Sequence, residues 1–450
     1  MTSLLFKANL SNSSTYLQTM NLHTQVTRPP SKLALALPYT LDAACFAFFA
    51  LSLCVPSGYS YGSTALALFT LIGCFAVRSK KPTQRDTLVL VGMLVTMGLL
   101  WSLSLDRWLS AAGWAYGAKY GLAALSLWYL SKTGVRLSAI VWGIALGSTG
   151  ALTIAAYQAG VLKMPRVSGF TNAIQYGGIA MYLGFATLAL ALLGGRSKRQ
   201  AVALGLLGAC GIYASFLSDS RGSWVVIPLL IAAIWLMAWL NGYKRLASMA
   251  AGGMLILGLI VAVPAYQKLE QRSSEAAQEI SQYLQDPQKY AVTSVGQRLE
   301  QWRLAIHLIE QRPLTGWGLA GYPAAKQQMV DQGLAHPSVM EYGHAHNEIL
   351  DMWVKRGLLG LILLLLFYTV PAAIFWPTQS RIARVNAEQR PKLLALRAAA
   401  TLLPLAYFGF GWTQVFFAHN SGNMFYIFSL AVLWGGICRL ESQAAPAPQS

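Results

Sequence analysis

The chain of 450 residues is 55% hydrophobic and 11% charged, with a mean hydropathy of +0.46, which excludes a soluble globular protein of this size. We expect a polytopic membrane protein. The formal net charge of +18 does not indicate nucleic-acid binding, because the basic residues are scattered through short loops and build no basic patch or aromatic–basic motif.

The first residues do not read as a secretory signal. Met1–Leu33 has no sustained apolar core and no small-residue cleavage site before the first long hydrophobic run. The five cysteines fall within or at the ends of apolar runs, without the paired spacing of a metal site. A disulfide framework or a zinc site is therefore not expected.

Long apolar stretches recur along the chain, and a membrane-spanning helix needs about 20 mostly apolar residues. Twelve stretches meet this criterion, which predicts an all-α fold of about 12 transmembrane helices. They are residues 35–55, 62–77, 88–104, 111–130, 138–159, 173–194, 201–217, 223–240, 246–265, 355–376, 393–415 and 421–438.

Loops with many Lys and Arg residues alternate along the chain with loops that have few, and this asymmetry predicts the orientation of the helices. The rich loops are expected in the cytoplasm, together with both termini. The predicted organisation is a cytoplasmic tail, nine helices, one long outer loop, three helices and a second cytoplasmic tail. The boundaries are 1–34, 35–265, 266–354, 355–438 and 439–450.

The outer segment 266–354 has apolar residues at three- and four-residue spacing, in AYQKLEQRSSEAAQEISQYLQ and in GQRLEQWRLAIHLIEQ. This pattern predicts amphipathic helices over the mouth of the bundle. The following PLTGWGLAGYP predicts a turn-rich connection.

A polar break, SDSRGSW at Ser218–Trp224, separates two apolar stretches. Arg221 in this break lies on the side where Lys and Arg are scarce. Either it pairs with Asp219 or snorkels to lipid phosphates, or it forms an anion site, because a guanidinium can hold two phosphate oxygens at once.

A second polar cluster is GQRLEQW at Gly296–Trp302, in the outer segment. On spacing alone, Arg298 and Glu300 are expected on a solvated helix face.

The segment Glu341–Gly357, EYGHAHNEILDMWVKRG, places polar groups at the start of an apolar helix. His344 and His346 would point apart on a helix but share a side in an extended segment. The histidines either cap or pack the helix end, with Asn347 as the N-cap, or supply a general base.

A metal site is not expected at these histidines. Further imidazole ligands would have to come from distant positions with no recognisable spacing. Those positions are His307, His336 and His419.

Two charges lie inside apolar stretches, Asp42 in the first and Lys119 in the fourth. Intramembrane charges usually face a cavity or pair with one another. Lys119 therefore either contributes to an outer anion site or pairs with Asp42.

These motifs together resemble the O-antigen ligase superfamily. The resemblance rests on SDSRGSW, on GQRLEQW followed by RPLTGWGLAGYP, and on HAHNEILDMWVKRGLLGL, between Ser218 and Leu361. It implies a GT-C-like glycosyltransferase of the Gram-negative inner membrane, with a large periplasmic loop over a lipid-accessible cavity.

The resemblance also implies substrates and site residues. The donor would be a polysaccharide on undecaprenyl diphosphate and the acceptor a sugar of lipid A–core. The family's functional arginines fall on Arg221 and Arg298 and its histidine on His346. His344, Asn347, Glu348, Asp351 and Lys119 are expected as supporting neighbours.

The residue types fit an inverting displacement. A base at His346 would take the proton of a sugar hydroxyl as it attacks the anomeric carbon. Arg221 and Arg298 would stabilise the departing diphosphate, so no metal and no other cofactor is expected. The chain has no Gly-rich phosphate loop and no DxD pair, which agrees with this interpretation.

Other functions share parts of this pattern. An O-antigen polymerase or a protein O-oligosaccharyltransferase would use the same donor and differ in the acceptor. A flippase or secondary transporter would also have about 12 helices, but such proteins place their sites near the membrane midplane. Here the polar residues concentrate at the outer face, and the two halves show no duplication.

Overall fold

A computed structural model describes residues 32–76, 82–103, 111–245, 248, 252, 270–271 and 273–443. Leu37–Ser450 forms one compact unit. Met1–Ala36 is assigned to a second unit, of which the structure describes only residues 32–36 at the start of the first helix. Across the described ranges the chain forms helices and irregular segments without any strand, so the predicted all-α class is confirmed.

The first half of the described chain is a series of helices joined by short turns. They are α1 (Lys32–Leu51), α2 (Gly58–Ala76), α3 (Arg85–Ser102), α4 (Ala111–Thr133), α5 (Leu137–Gly160), α6 (Ala173–Leu193), α7 (Lys198–Leu217), α8 (Arg221–Trp224) and α9 (Ile227–Leu240).

The second half combines short helices with long apolar ones. Residues 273–285 are also helical and belong to the short helices. The helices are α10 (Pro287–Tyr290), α11 (Ser294–Gln311), α12 (Gly321–Asp331), a 3₁₀ helix (Pro337–Glu341), α13 (Glu348–Phe375), α14 (Gln379–Ile382), α15 (Arg390–Phe410) and α16 (Asn420–Ser442).

The protein is a multi-pass membrane protein. Among the described residues, eight helices are long and apolar enough to cross a membrane: α3, α5, α6, α7, the α8–α9 segment, α13, α15 and α16. The further apolar helices α1, α2 and α4 coincide with predicted stretches as well. The predicted stretch 246–265 lies outside the described residues except for Ser248 and Gly252.

The centre of the bundle is formed by α6, α15 and α16. Burial covers 94% of the apolar window in α6 and in α16 and 89% in α15, but only 39% in α3 and in α13. The central helices are apolar all round because every face is covered by protein. The outer faces of α3 and α13 are left for lipid.

Two breaks in the helices position the polar groups. The first lies between α7 and α8, where Asp219 adopts a left-handed φ of 50° and turns the chain so that α8 begins at Arg221. The predicted polar break at Ser218–Trp224 is thus confirmed as a turn between two helices.

The second break lies inside α13 at Gly357, with φ of 64° and ψ of −164°. The turn-rich segment docks there: the Leu358 amide donates to the Leu314 carbonyl at 3.2 Å, and the Trp317 amide to the Val354 carbonyl at 2.8 Å. A Cβ at Gly357 would lie 2.0 Å from the Leu314 oxygen, so only glycine allows this approach.

Candidate active site

The two neighbouring histidines lie in an irregular segment before α13. His346 has a left-handed φ of 53°, and its ring centroid lies 4.4 Å from that of His344 and 4.5 Å from that of Tyr342. Because the segment is not helical, both imidazoles lie on one side, as an extended chain allows. His346 is buried, with 8% of its surface exposed.

Asn347 is the N-cap of α13, as predicted. Its Oδ1 accepts hydrogen bonds from the amides of Ile349 at 3.0 Å and Leu350 at 3.1 Å, and its Nδ2 donates to the Trp412 carbonyl at 3.2 Å. The cap fixes where the helix begins and ties the histidines to the turn before α16.

Gln414 orients His346. The Nδ1 atom of His346 lies 3.1 Å from Oε1 of Gln414, and an amide oxygen only accepts hydrogen bonds, so Nδ1 carries the proton. The Nε2 atom is then left with a lone pair that can take a proton. No sequence motif predicts Gln414 as the partner of His346, because its position depends on packing between distant segments.

Both imidazoles are neutral at neutral pH. Burial, followed by the charges of His344 and Arg298, lowers the pKa of His346 to about 3. Burial is also the main reason that the pKa of His344 falls to about 4. A neutral imidazole is the form that can act as a base.

Three arginines line one cavity of about 390 Å³: Arg166, Arg221 and Arg298. They come from the α5–α6 connection, the start of α8 and the first turns of α11. The fold therefore brings the two arginines singled out by the sequence analysis to one place and adds a third. The signal for Arg166 was its position in a loop of the arginine-poor side, which it shares with Arg221.

Arg298 has few partners for its guanidinium. Its Nε is buried and has no hydrogen-bond partner in the described part of the chain, and its Nη1 lies 3.4 Å from the Ser294 carbonyl oxygen. Burial, followed by the charges of Arg221 and Arg166, lowers the pKa of Arg298. The side chain nevertheless stays charged, because a free guanidinium has a pKa above about 12.

Arg221 has no ion-pair partner in the part of the chain that the structure describes, so the alternative pairing with Asp219 is not seen. Like charges brought this close repel one another. An anion in the cavity would relieve that repulsion and fill the unused donors.

The arginine cavity and the histidines meet at the turn before α16. Thr413 lines the cavity and directly precedes Gln414, which bonds His346. Gly222 in α8 packs so closely here that a Cβ would lie 2.0 Å from the Thr413 hydroxyl. The influence of Arg298 on the pKa of His346 agrees with this proximity.

Two carboxylates support the site from α13. Glu348 is 1% exposed and accepts from the Phe417 amide at 3.1 Å, while its own amide donates to the Gly411 carbonyl at 2.7 Å. Asp351 accepts from the Ala345 amide at 2.9 Å. These bonds hold the turn before α16 and the histidine segment against the start of α13.

Of the two alternatives for Lys119, the pairing with Asp42 is not seen. Asp42 is bound to Arg136, whose Nε lies 3.2 Å away and whose amide lies 2.8 Å away. Lys119 instead donates to Asn420 Oδ1 at 2.8 Å, at the first residue of α16. Lys119 does not line the arginine cavity.

The predicted solvated face of GQRLEQW is also wrong for Glu300, which is 1% exposed. Its carboxylate accepts from Arg303 at 2.6 and 3.0 Å, from the Tyr283 hydroxyl at 2.5 Å and from the His336 amide at 3.0 Å. Glu300 is therefore the centre of a network that holds the helices of the outer segment together.

The described residues contain no group of three or more His, Cys, Asp or Glu side chains arranged to hold a metal ion. Positive charge in the candidate site comes instead from the guanidinium groups.

Comparison with known proteins finds a family match over part of the chain. Residues 206–365 match the family model described as O-antigen ligase, which confirms the predicted resemblance over this segment. The segment contains Arg221, Arg298 and the histidine pair, while Arg166 lies outside it. The match supports an activity of the ligase or polymerase type.

Two curated proteins are similar to this chain. An uncharacterized protein of Haemophilus influenzae is 25% identical over 396 residues, which cover 87% of this chain and 96% of that protein. The O-antigen ligase of Escherichia coli is 22% identical over 199 residues, which cover 42% of this chain and 46% of that enzyme.

Proposed function

We propose that the protein is an O-antigen ligase that transfers a polysaccharide from undecaprenyl diphosphate to a sugar hydroxyl of lipid A–core. The observation that carries the proposal is the cavity lined by Arg166, Arg221 and Arg298, next to the buried, neutral His346. The match of residues 206–365 to the O-antigen ligase family supports the same reaction class.

The arginines bind the diphosphate of the donor. When the bond between the anomeric carbon and the diphosphate oxygen breaks, the electron pair leaves with the diphosphate. Guanidinium groups aimed at the oxygens stabilise that charge as it develops. Arg298 is suited to this role because its Nε has no hydrogen-bond partner among the described residues.

His346 acts as the base. Its Nε2 takes the proton of the acceptor hydroxyl while the oxygen attacks the anomeric carbon, and a single displacement inverts that centre. Donor binding neutralises the charge of Arg298, which is one of the causes of the low pKa of His346. The pKa of His346 is therefore higher when the donor is in place than when the cavity is empty.

We place the reaction at the periplasmic face of the bacterial inner membrane, with both termini and the arginine- and lysine-rich loops in the cytoplasm. Residues 1–34 and 439–450 are then cytoplasmic tails, and 266–354 is the periplasmic loop. Single cysteines at Glu310 and Arg199, in a cysteine-free background, test this topology with a membrane-impermeant maleimide on spheroplasts. Only the cysteine at 310 should react.

Transfer with purified components tests the activity itself. In detergent with a chelator and without an ion gradient, the wild type and the control Arg199→Gln, exposed in the first turn of α7, should move polysaccharide from the lipid donor to lipid A–core. His346→Ala should lose about 10²–10⁴-fold in rate. Normal transfer by both His346→Ala and Arg221→Ala would refute the assigned roles, and gradient-dependent movement without transfer would favour a transporter.

A deletion strain separates the related reactions. Loss of a ligase leaves long polymer on the lipid carrier and a bare core, whereas loss of a polymerase gives core that carries a single repeat. A protein O-oligosaccharyltransferase would leave lipopolysaccharide unchanged and remove glycan from protein.

A further inference from the structure

A second cavity, of about 330 Å³, lies between α3 and α13 and shares no lining residue with the arginine cavity. Its walls are mostly leucine side chains, and its polar end is formed by Lys355, Arg356 and the docked turn at Thr315 and Gly318. We call it the leucine groove.

Arg356 is a buried cation with two unpaired donor atoms. It is 8% exposed, and its Nε and Nη2 atoms have no hydrogen-bond partner among the residues that the structure describes. Its Nη1 lies 3.6 Å from the sulfur of Met352, and the guanidinium lies 4.0 Å from the centre of the Trp101 ring. These weak contacts do not replace the hydration that an arginine loses on burial.

The neighbouring charges are occupied elsewhere. Lys355 donates to Asp351 at 2.7 Å and to the Gly343 carbonyl at 2.8 Å. Glu348 accepts from the Phe417 amide. Among the described residues that line the leucine groove, Arg356 is therefore the cation that remains available for an anion.

The apolar end of the leucine groove faces the lipid side of the bundle. Leu99 is 52% exposed, Leu103 is 56% exposed and Leu359 is 59% exposed, on the outer faces of α3 and α13. A ligand that fits must present a strong acceptor to Arg356 and a hydrocarbon chain to the leucines. A phosphate-bearing lipid has both.

The leucine groove and the arginine cavity reach the histidines by different routes. From the groove, Lys355 bonds the Gly343 carbonyl, and its partner Asp351 bonds the Ala345 amide. From the cavity, the connection runs through Gln414 to His346. A transfer between two lipids needs two such sites at one base, and the arginine cavity already accommodates the diphosphate of the donor.

We infer that the leucine groove binds the acceptor lipid, with Arg356 on one of its phosphates and an acyl chain along Leu99, Leu103 and Leu359. This inference rests on the proposed function for the identity of the lipid. It assigns to Arg356 a role in binding the acceptor, separate from that of Arg221 and Arg298 on the donor.

Binding of bis-phosphorylated lipid A to the full-length protein in detergent tests the inference, with enzymatically dephosphorylated lipid A as the second probe. Arg356→Gln should weaken binding of the phosphorylated lipid by about tenfold or more and remove the preference for it. Leu99→Trp fills the groove but keeps the guanidinium and should weaken binding of both lipids, whereas Arg199→Gln should change neither. An unchanged preference in Arg356→Gln overturns the inference.

If Arg356→Gln fails to fold, Leu99→Trp decides the question, because Leu99 is exposed to lipid and tolerates a larger side chain. Unchanged binding of lipid A in Leu99→Trp then refutes the leucine groove as the binding site. Competition with phosphatidylglycerol separates the sources of phosphate. Displacement of lipid A at equal concentration would make the groove a site for bulk phospholipid and overturn the acceptor assignment.

Kinetics distinguish a failed acceptor site from a failed function. In the transfer assay, Arg356→Gln should raise the KM for the acceptor and leave the KM for the donor and kcat unchanged. If lipid A binds as expected but the wild type transfers nothing to lipid A–core, the proposed function fails and the lipid site remains. If transfer is normal but the KM for the acceptor is the same in Arg356→Gln as in the wild type, the lipid site fails and the function remains.

Discussion

Helix α11 carries two arginines in opposite situations. Arg303 donates to both oxygens of the buried Glu300 and to the Leu334 carbonyl. Arg298, just over one turn earlier, has an unpartnered Nε and faces two other arginines across a cavity. The pKa of Arg303 is raised by its bonds to Glu300, whereas burial and like charges lower the pKa of Arg298.

The difference separates charge that stabilises the fold from charge held for a ligand. Arg303 and Glu300 satisfy one another, so their removal should affect stability. The arginines of the cavity repel one another, and the Nε of Arg298 has no hydrogen-bond partner among the described residues, so removal of Arg298 should affect substrate binding and catalysis. Perturbed groups in a cavity with unmet hydrogen-bonding capacity are typical of functional sites.

The largest effect is expected from Arg298→Gln. Loss of one donor to a developing negative charge should lower kcat/KM for transfer by about 10²–10³-fold. The melting temperature should stay the same or rise, because one of the mutually repelling charges is gone. Parallel transfer assays and thermal unfolding in detergent measure both, and a large loss of stability would place Arg298 with the structural arginines.

Arg298→Lys sharpens the same test, since it keeps the charge but not the planar fork. A lysine cannot bind two phosphate oxygens as a guanidinium does, so most of the loss should remain. Full rescue by lysine would mean that net charge in the cavity is sufficient.

The next largest effect is expected from Glu300→Ala, in stability. The substitution leaves the Tyr283 hydroxyl, the His336 amide and Arg303 without their acceptor, which should cost about 2–4 kcal/mol. The midpoint of thermal unfolding should fall clearly, while protein kept folded at low temperature should retain transfer. Loss of transfer in protein of unchanged stability would contradict a structural role.

A smaller effect is expected from Arg303→Gln. The Arg303 side chain is half exposed, so water screens its attraction to Glu300, and the loss should be about 1 kcal/mol. Transfer should stay near the wild-type rate. This variant is the matched control for Arg298→Gln: the same substitution on the same helix should move stability in one case and activity in the other.

The sequence predicts features that depend on neighbouring residues, but it does not distinguish the two arginines. Apolar length is a local property, and for that reason the stretches at 173–194 and 393–415 predicted α6 and α15 closely. The N-cap at Asn347 was predictable for the same reason, since a cap depends on the residues that follow it directly. By contrast, nothing in GQRLEQW distinguishes the buried Glu300 from a solvated one.

Partners that come from distant parts of the chain were beyond the sequence. Arg166 reaches the arginine cavity from the α5–α6 connection, and Gln414 reaches His346 from the turn before α16. Asp42 and Lys119 were possible partners of one another from the sequence, but Asp42 pairs with Arg136 in the α4–α5 connection and Lys119 with Asn420 at the start of α16. The position of a charge within an apolar stretch predicts that the charge needs a partner, but it does not identify that partner.

The smallest effect at the working pH is expected from titration. The histidines and Glu300 should lose their contributions to stability in different pH ranges. Folding lowers the pKa of His346 to about 3 and that of His344 to about 4, from an ordinary value of 6.5. The unfolded chain therefore binds protons first, and stability should fall as the pH drops below about 6.5. The pKa of Glu300 is lowered from 4.5 by its bonds to Arg303 and Tyr283, which outweigh its burial, so its contribution is lost only below about pH 4.5.

Thermal unfolding between pH 7.5 and about 4 resolves these two windows. The double variant His344→Gln/His346→Gln should lose less stability than the wild type between about pH 6.5 and 4.5, because its side chains do not titrate. Glu300→Ala, although less stable throughout, should keep the histidine-dependent fall and lose the further fall below about pH 4.5. An unchanged slope in the histidine variant would mean that the imidazoles are not held neutral by burial, and a base at His346 would then be protonated over part of the working range.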